Sequence, residues 1–336
     1  MQKVLCFGEL LLRMSPDTEM NWLQQNSMPV YVGGAELNVA TALAQWHVPV
    51  NYFTAIPDNY LSRQILESLQ KKHIRTETVF LHGERIGLYY LAQGLDLKNA
   101  GVIYDRAHSS FAGLKPGMVN WDKVLTGVSW FHFSAICPAL NADAAKVCLE
   151  VLQVAASKNI TISVDLNYRV KLWQYGKQPI DIMPELVSYC DVIMGNIWAA
   201  EKMLGITVDP DLTREKNAFL DASLKSSQAV VDAYPKCRQV ANTFRFDENG
   251  RINYYATLLK NNVLFVSKEY QTDQVIDKIG SGDCFMAGLI YGNHHRLVPQ
   301  EIIDFAAAAA YKKLFIKGDA TTSTAEEIKS AFLNYA

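Results

Sequence analysis

Residues 277–290 read Asp277-Lys278-Ile279-Gly280-Ser281-Gly282-Asp283-Cys284-Phe285-Met286-Ala287-Gly288-Leu289-Ile290. Two glycines bracket a serine, an aspartate follows, and an apolar run begins at once. That order predicts a tight turn opening a helix. Glycine reaches backbone conformations closed to other residues. The amides of Gly280, Ser281 and Gly282 can therefore converge on an anion, aided by the helix N-terminus. Asp283 then stands at the anion's edge. A carboxylate there repels phosphate, but it is well placed to take the proton of a hydroxyl attacking that phosphate. The segment points to phosphoryl transfer.

Working outward, apolar strand-like runs alternate with helical periodicity. Val4–Gly8 reads as a buried opening strand, Ala35–Trp46 as a helix and Val50–Ile56 as a strand. A helix from Pro57-Asp58 through Leu69 follows. Further strand–helix pairs are 128–133 with 141–156, 160–166 with 184–189, and 191–195 with 199–204. Such alternation implies an α/β fold with a mainly parallel sheet covered on both faces. Gln239–Val266 reads as a hairpin turning at Asn249-Gly250. Thr324-Ala325-Glu326-Glu327 is a capping box for the last helix. Segments 10–32 and 87–110 lack helical period and read either as strands outside the main sheet, forming a small lid over its C-terminal edge, or as two ordinary surface excursions.

Composition narrows the function. The chain has 336 residues, 49% of them apolar and 20% charged, with net charge −2. No basic face is advertised, which disfavours nucleic acid as a partner. No run approaches the length of a membrane span, and residues 1–8 lack a secretory core. The six cysteines form no C-x-x-C pair, which favours reduced thiols and a cytoplasmic home. The seven histidines have no metal-ligand spacing. A Walker-type loop and a G-x-S-x-G elbow are absent. Phe285 stands where a dinucleotide fingerprint needs its third glycine, which disfavours an oxidoreductase.

Other constellations add to the central one. Gly33-Gly34-Ala35-Glu36-Leu37-Asn38 also opens a helix from a glycine pair. Gly34 there lets a ligand approach the backbone, and Asn38, one turn in, reaches a sugar hydroxyl. An ordinary loop-to-helix turn would have the same sequence. Tyr104 and Arg106 share one face of a strand. Arg169 follows Asp165-Leu166-Asn167-Tyr168 at the C-terminal end of a predicted strand, where ligands bind in open parallel sheets. Arginine is suited to a planar carboxylate.

Taken in this order, Gly33-Gly34-x-x-x-Asn38 and Asp277-x-x-Gly280-Ser281-Gly282-Asp283 resemble the two signatures of the ribokinase-like (PfkB) carbohydrate kinase family. The resemblance spans nearly the whole chain and implies a single domain over 1–336. Within the family the chain is most similar to 2-keto-3-deoxygluconate kinases. That similarity rests on Phe7-Gly8-Glu9, Leu12-Arg13-Met14-Ser15-Pro16, Gly33-Gly34-Ala35-Glu36, Tyr104-Asp105-Arg106 and Asp165-Leu166-Asn167-Tyr168-Arg169 with Leu172-Trp173. It implies ATP and magnesium as cofactors, Asp283 as base, and residues 280–282 as anion hole. It places Gly33, Gly34, Asn38, Tyr90, Tyr104, Arg106 and Arg169 on the keto-deoxy acid. It puts Asn167, Asn196, Thr243, Gly280 and Gly282 on the nucleotide side. Independently of the family, exposed lid strands invite edge pairing between copies, which predicts a homodimer. Asn196 matches the family's N-x-x-E asparagine, which helps place magnesium indirectly. The glutamate position is Ala199, with Glu201 two residues on, and Arg245 stands where a glycine is usual after Thr243-Phe244. A kinase for a neutral sugar of the fructose or ribose type remains an alternative. So does a catalytically silent sugar-binding regulator, suggested by Ala199.

Overall fold

The alternation of short apolar runs with amphipathic stretches carries through to the fold. A computed structural model describes residues 3–16, 26–92, 101–248 and 250–333. In chain order the first elements are β1 (Lys3–Phe7), β2 (Leu11–Met14), β3 (Val30–Gly33), α1 (Ala35–Gln45), β4 (Val50–Phe53), β5 (Ala55–Ile56), α2 (Tyr60–Lys71) and β6 (Ile74–Arg75). Then come β7 (Phe80–Leu81), β8 (Gly87–Tyr90), β9 (Ile103–Asp105), α3 (Trp121–Val124), β10 (Val128–Ser134), α4 (Ala142–Ser157), β11 (Thr161–Asp165) and α5 (Pro179–Val187). The remainder are β12 (Val192–Gly195), α6 (Ile197–Leu204), α7 (Lys216–Ala233), β13 (Gln239–Glu248), β14 (Arg251–Lys260), β15 (Val263–Val266), β16 (Tyr270–Thr272), α8 (Ser281–His294), α9 (Pro299–Lys313) and α10 (Ala325–Leu333).

Ten strands form the main sheet in the order β15-β14-β13-β12-β11-β10-β1-β4-β6, with β16 also on β14. Pairing is parallel from β13 through β6 and antiparallel around β14. Because side chains alternate along a strand, β1 sends Val4 and Cys6 into one core and Leu5 and Phe7 into the other. The first core is covered by α1, α2, α8, α9 and α10, the second chiefly by α3 to α6. This is the expected doubly wound architecture. α8 and α9 approach closely: a Cβ on Gly288 would lie 2.5 Å from Ala306 Cα. Ala306, small enough for that approach, stands opposite Gly288. The Thr324 capping box is present, with its hydroxyl accepting from the Glu327 amide at 3.2 Å and the Glu327 carboxylate accepting from the Thr324 amide at 2.8 Å.

Two element expectations shift, and one helix, α7, carried no expectation. α2 starts at Tyr60 because Asn59, not Pro57-Asp58, caps it by accepting from the Ser62 amide. α5 begins at Pro179, well before 184, since Pro179 fits a first helical position and Asp181 bonds back to the Gln178 amide. α7 carries no clear apolar stripe. Its buried face includes Ser223, Ser226 and Ser227. Asn242 of β13 donates to Ser227 Oγ at 2.9 Å and Ser223 Oγ at 3.2 Å, and Ser223 pairs with Thr257 at 2.7 Å.

β3-β2-β8-β9 form a separate four-stranded sheet, within the two segments that read as a lid or as surface excursions. Residues 17–25 and 93–100 of those segments, and Asn249 of the hairpin turn, lie outside the described residues. This small sheet is tied to the glycine loop by buried charge. Arg13 of β2 is fully buried and reaches Asp319 at 2.7 Å and Asp277 at 3.2 Å. Tyr89 of β8 donates to Asp319 at 2.8 Å. Asp277 also accepts from the amides of Ile279 and Gly318. Lys313, equally buried, donates to the Ile316 carbonyl at 2.9 Å. Removing one member of a buried ion cluster strands its partners. Arg13→Met is expected to cost about 3–5 kcal/mol of stability, the typical loss for a broken buried pair, as read by urea unfolding. A loss under about 1 kcal/mol, the worth of an exposed pair, would refute this view of the cluster.

Candidate active site

A cleft of about 570 Å³ runs along the C-terminal ends of the parallel strands. The strand order spreads its lining from the small sheet, past β10 and β11, to β12, β13 and β14. The structure brings together Gly34, Asn38, Tyr104, Arg106, Asn167, Arg169, Asn196, Thr243, Gly280, Ser281, Gly282 and Asp283 around it. Gly33 and Tyr90 are not among the lining residues.

The glycine loop is built as its sequence demanded. Gly280 caps α8 in the left-handed region at φ 77°. A Cβ there would lie 1.8 Å from the Asp319 carbonyl oxygen. The fold itself therefore requires this glycine. Gly282 differs, because a Cβ added to it would meet nothing within 4 Å. Its missing side chain leaves space open in the cleft rather than room for a protein neighbour. Ser281 turns its hydroxyl inward to the Ala310 carbonyl at 3.0 Å, leaving its amide as its contribution to the loop.

Asp283, in the first turn of α8, is half-buried by surface but deep within the cleft wall. Burial pushes its pKa up to about 8; Asn38 Nδ2, donating at 2.7 Å, opposes the rise, the nearby carboxylates of Asp165 and Glu36 add to it, and Arg169 opposes it. A carboxyl titrating near neutrality is suited to accept a proton during reaction. Asn38 is thus engaged with Asp283 rather than free for a sugar, and its Oδ1 is buried without a partner.

At the small-sheet end, Arg106 lines the cleft, but its Nε and Nη2 both bond Glu9 Oε2, at 2.7 and 2.5 Å. Ser109 donates to the other Glu9 oxygen. Arg169 lies half-buried in the lining, with Nη1 on its neighbour's carbonyl at 3.1 Å and no carboxylate within salt-bridge reach among the described residues. The expectation for Tyr90 needs correction. It alternates with Tyr89 on β8, so the two face opposite ways, and it is Tyr89 that lines the cleft beside Tyr104. Gly33 backs onto Asp319, 2.3 Å from where its Cβ would be, and serves the fold. Sequence reasoning gave no role to Glu9, Arg13, Tyr89 or Asp319. Only Glu9, an acid directly after a buried strand, carried a usable signal.

At the far end, Asn196, Trp198, Ala199, Lys202, Thr243, Arg245, Tyr254 and Lys278 line the cleft. Asn196 Oδ1 caps α6, accepting from the Ala199 amide at 2.8 Å. Glu201 turns away to accept from the Val208 amide and is not in the lining. The acids among the lining residues are Asp165 and Asp283. Among the described residues no group of three or more His, Cys, Asp or Glu is placed to hold a metal ion. These residues do not fit a magnesium ion chelated by the protein.

Residues 1–325 match the family model described as "pfkB family carbohydrate kinase", and the chain belongs to that family. It is a carbohydrate kinase similar to 2-dehydro-3-deoxygluconokinases. The crystal structure of 2-dehydro-3-deoxygluconokinase from Thermotoga maritima matches with a TM-score of 0.88 and 34% identity, over 98% of this chain and 99% of that one. The 2-dehydro-3-deoxygalactonokinase of Haloferax volcanii is 26% identical over 97% of this chain and 95% of its own length. A fructokinase from Xylella fastidiosa with bound ATP shares the fold, at 20% identity and a TM-score of 0.75, over 99% of this chain and 98% of that one.

Two outcomes test the site. Gly282→Ala is expected to leave thermal unfolding close to wild type, within about 0.5 kcal/mol as for substitutions that strain nothing, while turnover falls sharply as the methyl enters the cleft. The pH dependence of kcat/KM is expected to show an acid limb near pH 8, activity rising as Asp283 loses its proton. Asn38→Ala removes a hydrogen bond that favours the carboxylate, so that limb moves to higher pH. A limb that stays in place, or moves to lower pH, would contradict the assignment.

Proposed function

We propose that this kinase transfers the γ-phosphoryl group of ATP to the terminal hydroxyl of a small sugar acid, 2-keto-3-deoxygluconate, giving its 6-phosphate. The observation that carries the reading is the convergence of Asp283, the glycine loop and Arg169 on one cleft. Asp283 accepts the hydroxyl proton as the oxygen attacks phosphorus. The amides of Gly280, Ser281 and Gly282 receive the charge growing on the transferred group; removing one such donor costs about 3–4 kcal/mol in related oxyanion sites. ADP leaves along the far end of the cleft. Arg169 provides the main grip on the acid's carboxylate, because two donors of Arg106 are already spent on Glu9. Tyr104 and the Gly34 backbone pack against the sugar acid from the small sheet. Thr243, Asn167 and Asn196 face the nucleotide. The names of relatives divide between gluconate- and galactonate-derived acids, so the epimer is part of the proposal. Among the described residues no set of ligands is placed to chelate magnesium, and the steps above use none.

Two further parts of the reading rest on packing and chemistry. Val30, Val32 and Ile103 are exposed on the edge strands of the small sheet, and by register Met14 and Tyr90 share their face. That apolar face is the surface proposed to pair two copies as a homodimer. All six cysteines are free and buried, in keeping with a cytoplasmic enzyme.

Asp283→Asn keeps the contact with Asn38 but cannot accept a proton. It is expected to bind both substrates nearly as wild type and to lose about 10²–10⁴-fold in kcat. Turnover near wild type removes Asp283 from the role. Arg169→Ala is expected to raise KM for the keto-deoxy acid far more than for fructose or ribose. Equal changes for acid and neutral sugars favour the neutral-sugar reading instead.

A further inference from the structure

The family resemblance implies a magnesium ion organised by the protein, yet the nucleotide end of this cleft carries basic side chains where acids would be needed. Position 199 is alanine, Glu201 faces Val208, and Asn196 is occupied as a helix cap. In their place Lys202 of α6, Arg245 of β13 and Lys278 of the glycine-loop approach line the same end. These residues come from three separate segments, and the sheet order puts β12 and β13, which feed two of them, side by side. Asp247 offsets part of the charge, lying 3.1 Å from Lys278 and 3.9 Å from Arg245. Glu201 lies 3.8 Å from Lys202. Neither acid lines the cleft, so the surface presented to a ligand is cationic.

We propose that the polyphosphate tail of the nucleotide is held by Lys202, Arg245 and Lys278 directly, so that ATP binds this chain without needing magnesium for affinity. This rests on ATP being the donor. A magnesium ion makes ATP less negative and normally lets acidic sites accept it. Here ammonium and guanidinium groups supply the opposite charge from the protein side, with charge-assisted hydrogen bonds that are the stronger kind. Lys278 is the most informative member, because it adjoins Ile279 and Gly280 and so places its charge next to the anion loop. Lysine is well suited to phosphate as a compact charge on a flexible stem.

The test is calorimetric titration of the purified chain with ATP, once in excess magnesium and once in EDTA, repeated with inorganic tripolyphosphate. ATP is expected to bind with dissociation constants within about tenfold of each other in the two buffers, a factor set by one charge-assisted contact. The double variant Lys202→Met/Lys278→Met is expected to weaken ATP and tripolyphosphate by about tenfold or more in both buffers. Lys225→Met, an exposed lysine outside the cleft, serves as the control and is expected to bind as wild type. Unchanged melting of the double variant separates lost binding from lost fold. ATP affinity that drops more than tenfold in EDTA overturns this inference alone and leaves the kinase reading standing. A double variant that binds ATP as wild type does the same. No ATP binding in either buffer overturns both this inference and the choice of donor.

Discussion

The buried contact of Arg13 with Asp277 and Asp319 is the constraint on which the site depends. Arg13 belongs to the small sheet, Asp277 opens the glycine loop and Asp319 sits in the turn behind it. Desolvating these charges is costly, and the cost is met only when all of them are in place with their hydrogen bonds. Tyr89, the Gly318 amide and the Ile279 amide complete that shell. Lys313 adds a second buried cation nearby, so two cations face two carboxylates. A partly assembled cluster is unfavourable, which couples the position of the small sheet to the shape of the anion loop. Arg13 also stacks over Tyr31 at 4.3 Å, which extends the same coupling to β3.

Much of the architecture was legible because its signals are local. Glycine pairs, caps and apolar runs announce themselves within a few residues. β1, α1, β10 and α4 fall within a residue or two of their expected bounds, and α8 starts at the glycine turn where its sequence put it. α7 was silent because its packing surface is hydroxyl rather than hydrocarbon: Ser223 and Ser227 answer Asn242 and Thr257 across the interface. Hydrophobic periodicity has no term for such a seam. The site shows the same division. Asp283 and its loop could be read from one segment. The pairing of Arg106 with Glu9 joins residues 97 positions apart, and no local pattern encodes it. Choosing between Tyr89 and Tyr90 needed the strand register, since a slip of one residue reverses every side chain.

The two loop glycines show how one motif serves two masters. Gly280 is held by the left-handed backbone and the Asp319 carbonyl, and Gly282 by open space above it. A fold that only had to be stable would need the first and not the second. The raised pKa of Asp283 has the same character. Burying a carboxyl among other acids disfavours its charged form, and the fold tolerates that cost at the position proposed to receive the proton.

The linear layout of the cleft has a consequence for how such a protein diversifies. Groups at one end come from β8, β9 and the turn after β11, and those at the other from α6, β13 and the approach to α8. The two sets meet at the glycine loop, proposed to hold the transferred group. If the ends serve acceptor and donor as proposed, changes that retune one need not disturb the other, so a new acceptor can be adopted by drift in a few side chains while the transfer chemistry is inherited whole.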